Sequence, residues 1–175
     1  MNLNFISKKT NQLKKKEINQ ICKLKDNHWK FGKKNQIEWF NKNIESRDIH
    51  NIVLFKSNII GYTCLRNRPL LLHFKKKTKK KNYLYFDTLV VDKKYQKIDI
   101  GKDLMDFNNK VIKKNSKTSF LTCKKGMINF YKKFNWKIIS EKKFQIKDHN
   151  NKTNYMYFNK KFFFSKVEIY INKIQ

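Results

Sequence analysis

One carboxylate stands inside the most apolar run of the chain: Asp87, within Tyr83–Val91 (YLYFDTLVV). A charge in such surroundings is expensive unless it is satisfied at a strand end or put to use as a base. Side chains two apart share a face of a strand, so Tyr85, Asp87 and Leu89 are expected on one side. Just downstream, Val90–Met105 (VVDKKYQKIDIGKDLM) reads as strand end, polar turn, one glycine, then an amphipathic helix. A helix start presents unpaired N–H groups and the positive end of the dipole, which suits a phosphate. On physics alone the same arrangement reads first as an ordinary β–α connection, with the phosphate site as the second reading. Asp26, His28, Trp29 and Lys30 form a polar and aromatic cluster, and His50, Arg66 and Arg68 are further polar candidates, although a lone His or Trp is more often structural. Cys123 has no matched His–Asp partner, so a small buried thiol is expected there.

These residues need elements to hold them. Leu3–Ile6 reads as a first strand. Leu13, Ile18, Ile21, Cys22 and Leu24 give a helical stripe over Gln12–Leu24, and a loop is expected through Asp26–Gly32. Ile37, Phe40 and Ile44 mark a second helix over Lys34–Ile44. Asn51–Phe55 and Ile59–Leu65 are β-rich runs around a hairpin break at Lys56–Ser57–Asn58. Lys75–Lys81 (KKKTKKK) is read as a solvated loop leading into Tyr83–Val91, a strand apolar enough to be buried on both faces. Helices follow at Gly101–Ile112 and Met127–Phe134, with strands at Ser119–Cys123, Lys137–Ser140 and Tyr155–Phe158. After Phe162–Phe164, Val167–Ile171 (VEIYI) is read as an added strand. The order β-α-α-β-β-β-α-β-α-β-β, without internal repeats, implies an α/β fold with a mixed central sheet flanked by helices. A length of 175 residues suits one domain spanning 1–175.

The turn Gln96-Lys97-Ile98-Asp99-Ile100-Gly101, entered from Leu89-Val90-Val91-Asp92, resembles the Q/R-x-x-G-x-G/A turn of the GNAT N-acetyltransferase superfamily. About thirty residues on, Asn129-Phe130-Tyr131-Lys132-Lys133-Phe134-Asn135-Trp136 is similar to that family's F-Y-x-x-x-G-F/W element. The resemblance runs in order from Asn51 to Ile139. It implies a GNAT-like fold and an acyl-CoA-dependent N-acyltransferase, with acetyl-CoA as co-substrate and no metal. It also implies that Leu89, Val90, Val91, Gln96, Lys97, Ile98, Asp99, Ile100, Gly101 and Lys102 hold the coenzyme. Asp87 takes the position of the family's base, and Tyr131 that of the acid for the departing thiolate. The acceptor amine falls to the first two helices, with His28 and Trp29, and to Tyr85. Two positions depart from the pattern. Asp99 replaces the first turn glycine, setting a carboxylate near a pyrophosphate, with Lys97 and Lys102 placed to offset it. Asn135 replaces the glycine before the aromatic, a substitution that a left-handed backbone tolerates.

Composition narrows the partners. The formal charge is +29, yet only three of the 42 basic residues are Arg, and Asn, Ile, Phe and Tyr are also abundant, a skew expected of A/T-rich codons. The positive field favours an anionic acceptor such as a nucleotide-linked amino sugar. A non-catalytic basic protein that binds nucleic acid ranks behind the enzyme reading, as does a degenerate acyltransferase fold that binds ligand without turnover. Three scattered Cys without metal spacing suit neither a disulfide framework nor zinc and are expected in a reducing cytoplasm. The start MNLNFISKKT lacks an apolar core of signal length, and no run is apolar enough to span a membrane. A homodimer is compatible with all of this.

Overall fold

The computed structural model describes residues 1–74, 77–96, 98–139, 144–147, 154–159 and 166–170. Cα proximity divides the chain into two units, Met1–Arg66 with Asp87–Val111, and Asn67–Phe86 with Ile112–Gln175. Two long strands, β3 (Asn58–Phe74) and β4 (Lys77–Val91), contribute to both.

In the first unit, β1 (Asn4–Lys9) pairs antiparallel with β2 (Ile49–Phe55), which pairs antiparallel with β3 from Ile49↔Leu65 to Phe55↔Asn58. Their hairpin turns at Lys56 and Ser57, both left-handed (φ 46° and 63°), as the two-residue turn matched to strand twist demands. A register shift between Val53 and Leu54 leaves Ile60 as an extra residue. The bulge shifts the alternation by one residue, so that Ile59 and Tyr62, three apart, share a face. Ile59 and Tyr62 join Ile52, Cys64 and Val90 under Ile21 and Leu24 of α1 (Lys15–Trp29). Ile60 joins Val53 under Ile100 and Leu104 of α3 (Ile100–Lys114). A Cβ on Gly61 would lie 3.0 Å from Val53 Cγ2 and 3.3 Å from Leu104 Cδ2, so glycine permits α3 to sit this close. On the same side, Asn51 Nδ2 donates to Asn108 Oδ1 (2.8 Å) and Thr63 Oγ1 donates to the same oxygen (2.9 Å). This buried polar knot fixes the register of α3, because sliding the helix would strand amide groups away from water.

In the second unit, Leu84–Phe86 of β4 pairs parallel with β5 (Ser119–Cys123), and β5 pairs antiparallel with β8 (Asn154–Phe158). Strand β8 also carries the short β6 (Lys137–Ile138). On β3, Leu70–His73 pairs with β9 (Lys166–Tyr170), itself parallel to β7 (Phe144–Lys147). Leu70, Leu72, Tyr83, Tyr85, Phe120, Ile139 and Ile169 form its core. Parallel and antiparallel ladders thus coexist, and the fold is the α/β type with a mixed sheet and flanking helices that the sequence implies.

Four expectations are corrected. The first helix does not stop at Leu24: α1 continues to Trp29 and ends only where Lys30 turns left-handed (φ 49°). Asp26 belongs to that helix, accepting from Lys30 N through its carbonyl (2.7 Å) and from Gly32 N through Oδ1 (2.6 Å). The second helix, α2 (Lys33–Asn43), begins straight after. Lys77–Lys81 is not a loop but the exposed start of β4. Strand β3 runs on through Arg66, Arg68 and Pro69. Pro69 falls between the last partner on β2, at Leu65, and the first on β9, at Leu70, so neither of these two ladders needs its missing N–H. Strand β7 has no counterpart in the sequence reading. Lys75, Lys76, Lys97, Ser140, Phe162–Phe164 and Ile171 lie outside the described residues.

Candidate functional site

Strand β4 leads into the turn through a 3-10 segment, Lys93–Tyr95, capped by Asp92, whose carboxylate accepts from Lys94 N at 3.0 Å. Gln96 folds back, its Nε2 donating to Val91 O at 3.1 Å. Val91 and Leu89 pack with Tyr95 against the Ile100–Leu104 cluster, while Val90 points to the α1 side. Asp99 then takes a left-handed conformation (φ 45°), the backbone a glycine would otherwise supply. Its carbonyl accepts from Lys102 N (2.8 Å) and Asp103 N (3.2 Å), so Asp99 starts α3. The first N–H groups of α3, from Ile100 and Gly101, belong to the set that no upstream helical carbonyl can reach. A Cβ on Gly101 would meet nothing nearer than Val91 Cγ2 at 4.0 Å, so this side of the helix start is open. Such a cradle at a helix start fits a pyrophosphate. The Asp99 side chain is solvent-exposed and paired with Lys102 Nζ at 2.8 Å, which offsets its charge as expected. Ile98 is exposed.

Asp87 does not share a face with Leu89. Leu89 packs on the α3 side, whereas Asp87 and its neighbour Thr88 both line a cavity of about 670 Å³ beneath α1 and α2. Two consecutive residues on one cavity mean that simple alternation breaks there. Asp87 Oδ1 lies 3.5 Å from Arg66 Nη1, and Oδ2 accepts from Thr88 Oγ1 at 3.2 Å. Three aromatics form the cavity wall: Trp29 at the end of α1, Phe31 in the turn, and Trp39 on α2. Trp29 and Phe31 are 37% and 66% exposed, and aromatic walls of this kind line ligand cavities. Lys25 also faces the cavity, with Nζ 3.9 Å from the Trp39 ring centroid. Burial pushes its ammonium pKa down, with the Asp87 carboxylate opposing that shift.

Of the acceptor candidates, Trp29 lines the cavity. His28 is exposed and meets the Trp29 ring edge-on, centroids 4.6 Å apart. His50 is a core histidine: it is wholly buried, stacked between Phe40 and Tyr62, with Nε2 2.8 Å from Thr10 Oγ1 and Nδ1 2.8 Å from Tyr62 OH. Burial depresses its pKa to about 4, so the ring is neutral. Lys25 escapes a reading of the sequence because lysine is everywhere in this chain. The signal was its spacing, three residues after Cys22 and four before Trp29, on the buried stripe of α1.

In the second unit, Tyr85 is buried with its hydroxyl 2.9 Å from Thr122 Oγ1. Tyr131 lies on the short α4 (Ile128–Lys132), its ring set edge-on to Phe86 at 6.1 Å and near Trp136 at 6.3 Å. The element closes as the sequence implied: Asn135 is left-handed (φ 63°) and Trp136 N returns to Tyr131 O at 3.3 Å. Burial, then the neighbouring Cys123 and Tyr85, push the Tyr131 phenol up to about 12. Cys123 is buried and its thiol pKa is raised by burial, as an unactivated cysteine. Among the described residues no group of three or more His, Cys, Asp or Glu converges to hold a metal, and no helix is long and apolar enough to cross a membrane.

No curated protein matches the chain. Among solved structures, an acyl-CoA N-acyltransferase from Pseudomonas aeruginosa superposes with a TM-score of 0.67 at 11% identity, covering 89% of this chain and 99% of that one. ElaA of Escherichia coli gives 0.63 at 10% identity, covering 89% and 98%. The PaiA N-acetyltransferase of Thermoplasma acidophilum, in complex with coenzyme A, gives 0.56 at 16% identity, covering 90% and 98%. At such identities these likenesses establish the fold. The family model for the acetyltransferase (GNAT) domain matches residues 20–150, which covers both the turn at Gln96–Gly101 and the Tyr131 element. The chain belongs to the GNAT acetyltransferase family.

Proposed function

We propose that residues 1–175 act as one domain that transfers an acetyl group from acetyl-CoA directly to the primary amine of a small acceptor. An amino sugar, free or nucleotide-linked, is the acceptor class we propose to test first, since indole faces such as Trp29 and Trp39 offer flat surfaces for a ring. The observation that carries the reading is the left-handed Asp99 delivering the chain into the start of α3, with open space over Gly101. The backbone of Gln96–Lys102 holds the pyrophosphate, and Leu89–Val91 lies alongside the coenzyme arm.

Acetyl-CoA supplies an acyl group activated as a thioester. Asp87 accepts the proton that the acceptor ammonium must lose before its nitrogen can attack. As the carbon–sulfur bond breaks, negative charge gathers on sulfur. Tyr131 meets it as a hydrogen-bond donor. A phenol near 12 does not hand its proton outright to a thiolate whose conjugate acid lies at ~8.5, so Tyr131 stabilises the charge and keeps its proton, while the departing sulfur takes the second proton, which the acylated nitrogen sheds. The three cysteines are free and buried, which supports a cytoplasmic setting.

Calorimetry with coenzyme A and acetyl-CoA tests the reading, with Asp99→Gly measured alongside. Binding is expected in both proteins, tighter in the variant because a like charge leaves the pyrophosphate's neighbourhood. Absence of binding heat and of any melting shift in both sinks the proposal.

A further inference from the structure

The cavity beneath α1 and α2 holds a cation that the proposed proton transfer does not use. Lys25 is only 7% exposed. Its neighbour Lys23 on the same helix is exposed, as a lysine with a flexible stem ordinarily is. Lys25 instead turns into the cavity wall over Trp39. Among the described residues it forms no ion pair; the carboxylate that acts on it, Asp87, is already engaged by Arg66. A buried ammonium without an ionic partner is costly, and a cation–π contact recovers only ~0.5–2 kcal/mol of that cost. The rest of the wall is mostly aromatic. A ligand that brought its own negative charge would complete the ion pair in a setting that excludes water.

Building on the acyl-transfer reading, we propose that Lys25 is a specificity-determining residue that binds an anionic group, carboxylate or phosphate, carried by the acceptor beside its amine. The acceptor then lies with its amine at Asp87, a ring against Trp29 or Trp39, and its anion at Lys25. Polycationic amines are disfavoured, because Lys25 and Arg66 repel every additional positive charge.

Matched acceptor pairs test this: tryptophan against tryptamine for a carboxylate, and glucosamine 6-phosphate against glucosamine for a phosphate. Acetylation with acetyl-CoA is followed as kcat/KM in the wild type, Lys25→Arg and Lys25→Gln. Binding of the same compounds without acetyl-CoA is followed by calorimetry. In at least one pair the anionic member is expected to be preferred by roughly ten- to a hundredfold, the range of a charge-assisted bond. The pair that shows the preference identifies the source of the anion. Lys25→Arg retains the preference, and Lys25→Gln brings the ratio towards one. Equal handling of both members in both pairs, or a ratio unchanged in Lys25→Gln, overturns the proposal. Should coenzyme A fail to bind while the preference in binding persists, acyl transfer falls and the anion site stands.

Discussion

Replacing Gly101 with alanine separates fold from ligand at a single atom. The new Cβ would lie 4.0 Å from Val91 Cγ2, an ordinary van der Waals contact, and would meet nothing closer. Alanine also loses less backbone entropy than glycine on entering a helix, a gain of roughly 0.5–1 kcal/mol. For a chain of this size that raises the melting temperature by about 2–4 °C per kcal/mol, so the free protein should melt at or slightly above the wild-type temperature. The methyl nevertheless occupies the space a pyrophosphate needs to reach the amides of Ile100 and Gly101. Loss of one such bond to a charged oxygen costs about 1.5–3 kcal/mol, which is roughly 10- to 150-fold in Kd. Calorimetry with coenzyme A beside thermal melting reads both quantities on one preparation. An unchanged Kd would refute the cradle at the start of α3. A lowered melting temperature would instead show that the space over Gly101 is not open.

Two further outcomes are expected. Tyr131→Phe should lower kcat roughly 10- to 100-fold while leaving coenzyme A affinity near wild type, since only a hydroxyl bonding to developing charge is lost; an unchanged kcat removes its role. Folding stability should fall with acid because of His50, whose folded pKa of about 4 lies below the unfolded ~6.5. Between those values the unfolded chain binds a proton that the folded one refuses, so stability drops as pH falls from 6.5 towards 4, by about 3 kcal/mol in all. Urea unfolding across that range, compared with His50→Gln, checks the difference; equal slopes for the two proteins contradict it.

Local signals carried much of this structure. Strand β5 falls on Ser119–Cys123 as its apolar run implies, and Asn135 adopts the backbone read from its residue type. The turn after β4 was legible because a polar stretch and a glycine interrupt two apolar periods. What stayed hidden depends on contacts distant in sequence. Strand β3 outruns its local pattern because β9 supplies a partner from the far end of the chain. Lysines at the start of β4 lie in a strand where composition alone marks solvent. Alternation placed Asp87 beside Leu89, and only the break at Asp87–Thr88 turns the carboxylate towards the aromatic wall. Lys25 carries the least signal of all, since burial distinguishes it from its neighbours and residue type does not.

The left-handed backbone of Asp99 has company. Lys30, Lys56, Ser57, Ser116, Asn135 and Asn159 also have positive φ, whereas Gly32 is the one glycine among the described residues that does. L-residues in this conformation cost on the order of 1 kcal/mol each, less for Asn and Asp. The chain therefore carries a reserve of stability that can be released without touching its core. Glycine at Lys30, Ser57 and Ser116, three separated turns, should add roughly 1–3 kcal/mol together. A sturdier parent of this kind would tolerate the costlier substitutions with which its cavity can be remodelled.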